Sequence, residues 1–187
     1  MHLDGARLWG CESFYGRSLA EISEPFDTVY TSFYKQLGGL AGAVLAGSED
    51  VIAESKEWRR WRHGGMLYGL WPNAASGLVG LRTRLPRMAA YQEQAATLAE
   101  AVRGLAGVEV IPDPPHTPMM HLLFHREAGA VRAAALRIAG EDRVWTFAQL
   151  AGTDVPGVCR AELEVGDATL GWTPAAFRDL MQRLLTD

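Results

Sequence analysis

The sequence predicts an α/β fold. Three observations carry this. A β-branched, aromatic stretch at Thr28–Tyr34 is followed by a glycine-rich turn and a small apolar run. Apolar residues recur at helical spacing near 87–105 and again after Pro174. Strands and helices alternate through the last hundred or so residues. With 187 residues and 48% hydrophobic content, the chain can build one large or two small domains around a real core. The net charge of −4 gives no reason to expect a nucleic-acid partner. The two cysteines, Cys11 and Cys159, do not make a disulfide framework, so a reduced cytoplasmic setting is expected. No apolar run approaches the roughly 20 residues of a membrane span. No basic, then apolar, leader is read at the start. Met1 instead runs straight into His2-Leu3-Asp4, which reads as the end of a strand whose preceding sequence is absent.

In chain order, residues 2–3 are the tail of a short strand broken by Asp4-Gly5, and 6–22 hold a loop and a short helix. Thr28–Tyr34 is a strand with Lys35 at its end, Gly38–Gly42 a flexible turn, and Ala43–Gly47 a buried strand. Ser48 with Glu49 and Asp50 starts a helix that runs to about 62, with acids at the positive end of its dipole. Residues 66–82 read as a buried helix in which Pro72 introduces a kink. Pro86 precedes a helix over 87–105, with Met88, Tyr91, Ala95, Leu98, Val102 and Leu105 on one face. Strands follow at 108–111 and 119–124, a helix at 128–139, strands near 144–148 and 158–165, and a last helix from Pro174. That helix turns Phe177, Leu180, Met181 and Leu184 to one side.

The chemistry concentrates in the first 47 residues. Asp4-Gly5-Ala6-Arg7 follows an apolar strand, and Lys35 ends another with a glycine turn behind it. Ligands of α/β sheets sit at the C-terminal ends of strands, where both residues fall. A lysine flanked by Tyr34 and Leu37 would be partly desolvated, which favours the free amine and imine formation.

The wording around these residues is more specific. His2-Leu3-Asp4-Gly5-Ala6-Arg7-Leu8-Trp9 resembles the signature strand of the low-specificity threonine aldolases, within the β-eliminating lyase group of fold-type-I pyridoxal-phosphate enzymes. Phe26–Val29, Lys35–Gly38 and Gly42–Gly47 resemble that group's lysine segment, and the 31 residues from Asp4 to Lys35 suit it. Gly64-Gly65-Met66 resembles its glycine-rich entry into the inter-domain helix. The resemblance implies a fold: residues 1–63 as the C-terminal part of a large cofactor-binding domain, 64–84 as an inter-domain helix, and 85–187 as a small α/β domain. It implies pyridoxal 5′-phosphate as cofactor, held covalently by Lys35, with Asp4 keeping its pyridine nitrogen protonated so that the ring can act as an electron sink. It implies Arg7 and Arg160 as the groups that bind the substrate carboxylate. It implies cleavage of a β-hydroxy amino acid to glycine and an aldehyde by a cytoplasmic homo-oligomer, dimer or tetramer, with an amino acid as the small-molecule partner. The alternatives are β-elimination on the same scaffold, or a truncated, non-catalytic remnant.

The sequence departs from that pattern in places. Gln36 stands where the group has glycine after its lysine, Leu67 where it has arginine, and the threonine-histidine usual downstream of Arg160 is missing. The group's members are about twice this length, and their N-terminal half supplies the phosphate cup, the stacking ring and the histidines near the substrate hydroxyl. The fragment by itself is therefore expected to be inactive. Plainer readings stand beside these. A lone strand-end lysine is ordinarily a solvated charge, Asp4 could cap a turn, and Arg7 could be a core-rim arginine. The cluster Trp58–His63 reads as a helix end with cations at the dipole's negative pole and tryptophans packed inward, rather than a nucleic-acid stack. His121 and His125 share one strand face with no third ligand, so no metal site is expected.

Overall fold

The computed structural model describes residues 1–62 and 69–186, so Gly64-Gly65-Met66 and Leu67 lie outside the described residues. The chain separates into two compact units, Met1–Ala89 and Ala90–Asp187.

The first unit is built on a three-stranded sheet in the order β1-β2-β3, formed by β1 (His2–Asp4), β2 (Thr28–Ser32) and β3 (Ala43–Gly47). β1 runs parallel to β2 with Asp4 beside Tyr30, and β3 is antiparallel to β2 with Leu45 beside Tyr30. Gly5 lets β1 close onto β2. Its amide donates to the Tyr30 carbonyl at 2.8 Å, and a Cβ there would lie 2.7 Å from that same oxygen. Between β1 and β2 lie a 3₁₀ turn at Leu8–Gly10 and two short helices, α1 (Glu12–Tyr15) and α2 (Leu19–Ser23). α2 is opened by a capping box between Ser18 and Glu21.

β2 ends at Ser32, two residues before the predicted boundary, because Phe33 is drawn into a turn. Its amide donates to the Gly42 carbonyl at 3.0 Å and its carbonyl accepts from Gly39 at 2.8 Å. β3 forms where expected, but it is exposed along its whole length rather than buried. A strand is buried on both faces only where a layer covers each face, and here β3 keeps both faces open. α3 (Glu49–Trp61) carries Glu49 and Asp50 in its first turn as predicted. Its tryptophans point outward instead of packing inward, with Trp58 58% and Trp61 78% exposed. α4 (Trp71–Thr83) has Pro72 in its first turn, where the missing N–H costs nothing, so the proline starts the helix and does not kink it. The expected apolar burial of α4 is also reversed: Gly77 and Gly80 are the buried residues, while Trp71, Leu78 and Val79 are exposed. The glycine side is the one that admits close approach.

In the second unit, four antiparallel strands form a sheet ordered β4-β5-β7-β6: β4 (Val108–Ile111), β5 (Met119–Phe124), β6 (Leu150–Gly152) and β7 (Cys159–Glu164). The predicted strand at 144–148 is displaced to β6, whose backbone pairs with Cys159–Ala161. Alternation sorts the two faces. Met120, Leu122, Phe124, Cys159, Ala161 and Leu163 are buried, whereas Met119, His121, Leu123, Arg160, Glu162 and Glu164 lie on the more open face. The three helices are α5 (Met88–Val102), which enters from the end of the first unit, α6 (Ala128–Asp142) and α7 (Pro174–Leu185). α5 buries Tyr91, Ala95, Leu98 and Val102, and α7 buries Phe177, Leu180, Met181 and Leu184, as their periodicity predicts. Thr173 caps α7 by accepting from the Ala176 amide at 3.2 Å. No helix among the described residues is long and apolar enough to cross a membrane.

Candidate active site

The strand pairing that sets Asp4 beside Tyr30 also defines a face. Along a parallel pair, register partners point the same way, so His2, Asp4, Thr28 and Tyr30 share one side of the sheet with Leu45. The turn after β2 then returns Lys35 to that side. The result is an open depression of about 580 Å³ lined by His2, Asp4, Ala6, Tyr30, Tyr34, Lys35 and Leu45. Two residues 31 positions apart in the chain, Asp4 and Lys35, thus meet in one concavity at the C-terminal ends of two parallel strands.

The backbone around both residues is fixed. Lys35 lies three residues past the end of β2, in a turn closed by the Gly38 amide on the Lys35 carbonyl at 3.0 Å. The segment after Asp4 is tied to this turn by three bonds. Ser32 Oγ donates to the Ala6 carbonyl at 2.7 Å, Trp9 Nε1 donates to the Ser32 carbonyl at 2.8 Å, and the Gly10 amide donates to Gln36 Oε1 at 3.0 Å. Trp9 stacks on Phe33 with ring centroids 6.0 Å apart. Gln36, the departure from glycine, is therefore a tie between the two halves of the site and is only 4% exposed. Asp4 Oδ1 accepts from the Ala6 amide at 3.3 Å, so part of its lone-pair capacity serves the turn.

Two aromatic hydroxyls enter the same depression. Tyr30 and Tyr34 approach within 3.4 Å through their oxygens, and the Lys35 Nζ lies 5.9 Å from the Tyr34 ring centroid. The bond to Tyr34 holds the Tyr30 phenol above the ordinary tyrosine value, and the Asp4 charge adds to this. His2 Nδ1 lies 2.8 Å from Thr28 Oγ1. Sequence reasoning used Tyr34 only as local bulk and did not single out Tyr30 or His2. The available signal was strand parity with Asp4, which becomes decisive only once the register is known.

Of the two arginines, Arg7 is half-buried in the turn before Leu8–Gly10 and does not line the depression. Arg160 lies on β7 in the second unit, on the open face and in register with Leu123. His125 Nε2 is 2.6 Å from Glu109 and His121 Nε2 is 3.9 Å from Glu162, so each faces a carboxylate. No group of three or more His, Cys, Asp or Glu side chains suited to a metal ion occurs among the described residues.

Comparison with known proteins places the chain in a family. Residues 1–127 match the family model described as beta-eliminating lyase. The low specificity L-threonine aldolase of Escherichia coli K12 is 34% identical over 137 residues, which cover 73% of this chain and 38% of that protein. A protein of Listeria monocytogenes described as an L-allo-threonine aldolase superposes with a TM-score of 0.85 at 38% identity, over 98% of this chain and 50% of that one. An Exiguobacterium protein described as an aromatic amino acid beta-eliminating lyase/threonine aldolase gives 0.86 at 35%, over 98% and 51%. A serine palmitoyltransferase of Sphingomonas wittichii shares the fold, with a TM-score of 0.65 at 11% identity. The chain spans about two fifths of the Escherichia coli relative and half of the two closely matching structures. With the family model matched over more than half of its residues, the chain belongs to the beta-eliminating lyase family.

Proposed function

We propose that the whole protein is a pyridoxal-phosphate-dependent carbon–carbon lyase of the threonine aldolase kind, which cleaves a β-hydroxy amino acid to glycine and an aldehyde. The observation that carries this is the meeting of Asp4 and Lys35 in one depression at the ends of parallel strands. The donor set suits the cofactor. It offers a primary amine, a carboxylate, and small and apolar walls at Ala6 and Leu45. When bound, pyridoxal phosphate supplies a protonated pyridine ring that accepts the electron pair released as a bond to the amino acid's α-carbon breaks.

The chain's own residues have these roles in the proposal. Asp4 holds the proton on the ring nitrogen through its carboxylate, and Lys35 Nζ is the covalent anchor. Arg7 and Arg160 are the arginines that the family resemblance carries over for the substrate carboxylate, which a guanidinium grips through paired N–H donors, although Arg7 stands outside the lining of the depression. Domain limits of 1–63, 64–84 and 85–187, a cytoplasmic setting and a homo-oligomeric working form belong to the same proposal. The unpaired state of Cys11 and Cys159 supports the reduced setting.

Borohydride reduction in the presence of pyridoxal phosphate, followed by peptide mapping, tests the anchor. The chain has only two lysines, Lys35 and Lys56. Label on the Lys35 peptide, lost in Lys35→Ala, is the expected result. Label confined to Lys56, or absent, removes the proposal's foundation. Aldehyde release from threonine by the 187-residue chain alone is expected to fall far below the order of 10 per second of an ordinary enzyme. Ordinary turnover by this chain would show that it needs nothing from the length it does not share with its relatives.

A further inference from the structure

The residue immediately before Lys35 presents an aromatic ring to it. Among the described residues, Lys35 makes no ion pair with a carboxylate, and its Nζ lies 5.9 Å from the centroid of the Tyr34 ring. That is inside the roughly 6 Å at which an aromatic face attracts a cation. A lysine stem is long and flexible, so whatever ligand its head finds selects its direction. The ring is itself tethered, because the Tyr34 hydroxyl lies 3.4 Å from that of Tyr30, the register partner of Asp4. Restraint thus passes from the strand pair that carries Asp4, through two phenols, to the amine.

We propose that Tyr34 is a positioning residue for Lys35, its ring holding the lysine head in the depression beside Asp4 while Tyr30 steadies the ring. This rests on the reading of Lys35 as the reactive lysine. The ring quadrupole attracts the positively charged nitrogen and not the neutral amine. The contact therefore holds the head against the ring within the depression, and an amine held there is captured by a small aldehyde more slowly than one free to swing. The hydroxyl pair is long for an O–H···O bond, so the ring contributes more than its hydroxyl.

Reductive methylation of the 187-residue chain with formaldehyde and cyanoborohydride, read as the rate at Lys35 relative to Lys56, tests this. Lys56 lies on α3, so the ratio cancels differences in reagent and in overall folding. An exposed cation–π contact is worth roughly 0.5–1 kcal/mol, which converts to about a two- to fivefold change in rate. Tyr34→Ala and Tyr34→Leu are expected to raise the ratio by that factor, and Tyr34→Phe, which keeps the ring and loses only its tether to Tyr30, to raise it by less than either. Tyr34 is 46% exposed, so none of these changes strips a core, and the unfolding midpoint checks this. A ratio that stays or falls in Tyr34→Ala overturns the proposal. An unchanged ratio in Tyr34→Leu, which keeps bulk but not the ring face, also overturns it by assigning the effect to shielding. No pyridoxal phosphate enters the assay, so this result and that of the cofactor-labelling experiment fail separately.

Discussion

Gly80→Ala sets two opposing effects against each other at the back of the candidate site. Gly80 lies inside α4, where alanine is favoured over glycine by about 1 kcal/mol. But a methyl group at this position would overlap the Leu37 carbonyl oxygen and lie 2.9 Å from the Leu37 Cβ. Leu37 is 1% exposed and two residues after Lys35, and its carbonyl is backbone, which cannot swing aside. Overpacking of this kind costs about 1–3 kcal/mol, and the backbone obstacle puts it at the upper end. The net expectation is a destabilisation of about 2 kcal/mol. Gly140, in α6, is the control, because a methyl group there meets nothing within 4 Å. Gly140→Ala should stabilise by about 0.5–1 kcal/mol. Urea unfolding with hydrogen exchange resolved by peptide measures both, and borohydride labelling with pyridoxal phosphate reports whether the Lys35 turn has moved. If Gly80→Ala is neutral or stabilising and labelling is unchanged, α4 does not seat against the lysine turn and the packing argument is wrong.

Three further outcomes follow from the same structure. Val44 and Leu45 are exposed on β3, whose outer edge is unpaired among the described residues, so the chain should self-associate at high concentration and Leu45→Lys should reduce this; a well-behaved wild-type monomer in sedimentation would count against it. The hydrogen bond to Tyr34 raises the Tyr30 phenol, so its neutral form is favoured in the folded chain and this stabilisation is lost as pH rises through the raised value. The phenolate difference titration of wild type against Tyr30→Phe should show ionisation above the ordinary value of about 10, moving down in Tyr34→Phe; no movement would show that the hydroxyls are not coupled. Leu122→Ala, at a fully buried position of β5, should cost about 2–5 kcal/mol in the second unit, and a loss below about 1 kcal/mol would contradict the assigned core.

Much of the molecule was legible because local chemistry and global role agree. α5 and α7 bury the residues that their helical period selects, since an amphipathic stripe has one way to leave water. The positions of Asp4 and Lys35 at strand ends were legible from the turn, strand and glycine loop around them, and their candidate roles came from the family resemblance of those segments. Gln36 was visible as a departure from the family pattern, but its use as a tie to Gly10 was not, because the partner is 26 residues away.

The sequence alone determined the α/β class, the order of nearly all elements, the family resemblance and the placement of Asp4 and Lys35 at strand ends. Tertiary structure decided which sides of those elements meet water. β3 and α4 carry apolar runs that read as buried, yet α4 turns its glycines inward and its large side chains out, and β3 is left exposed. Tertiary structure also brought Tyr30 and His2 to the depression, kept Arg7 out of its lining and put Arg160 on the open face of β7. The reason is that hydrophobic pattern encodes a preference for burial and a period, both of them local. Burial itself needs a second layer, and register needs a neighbouring strand, and each is supplied by residues distant in the chain.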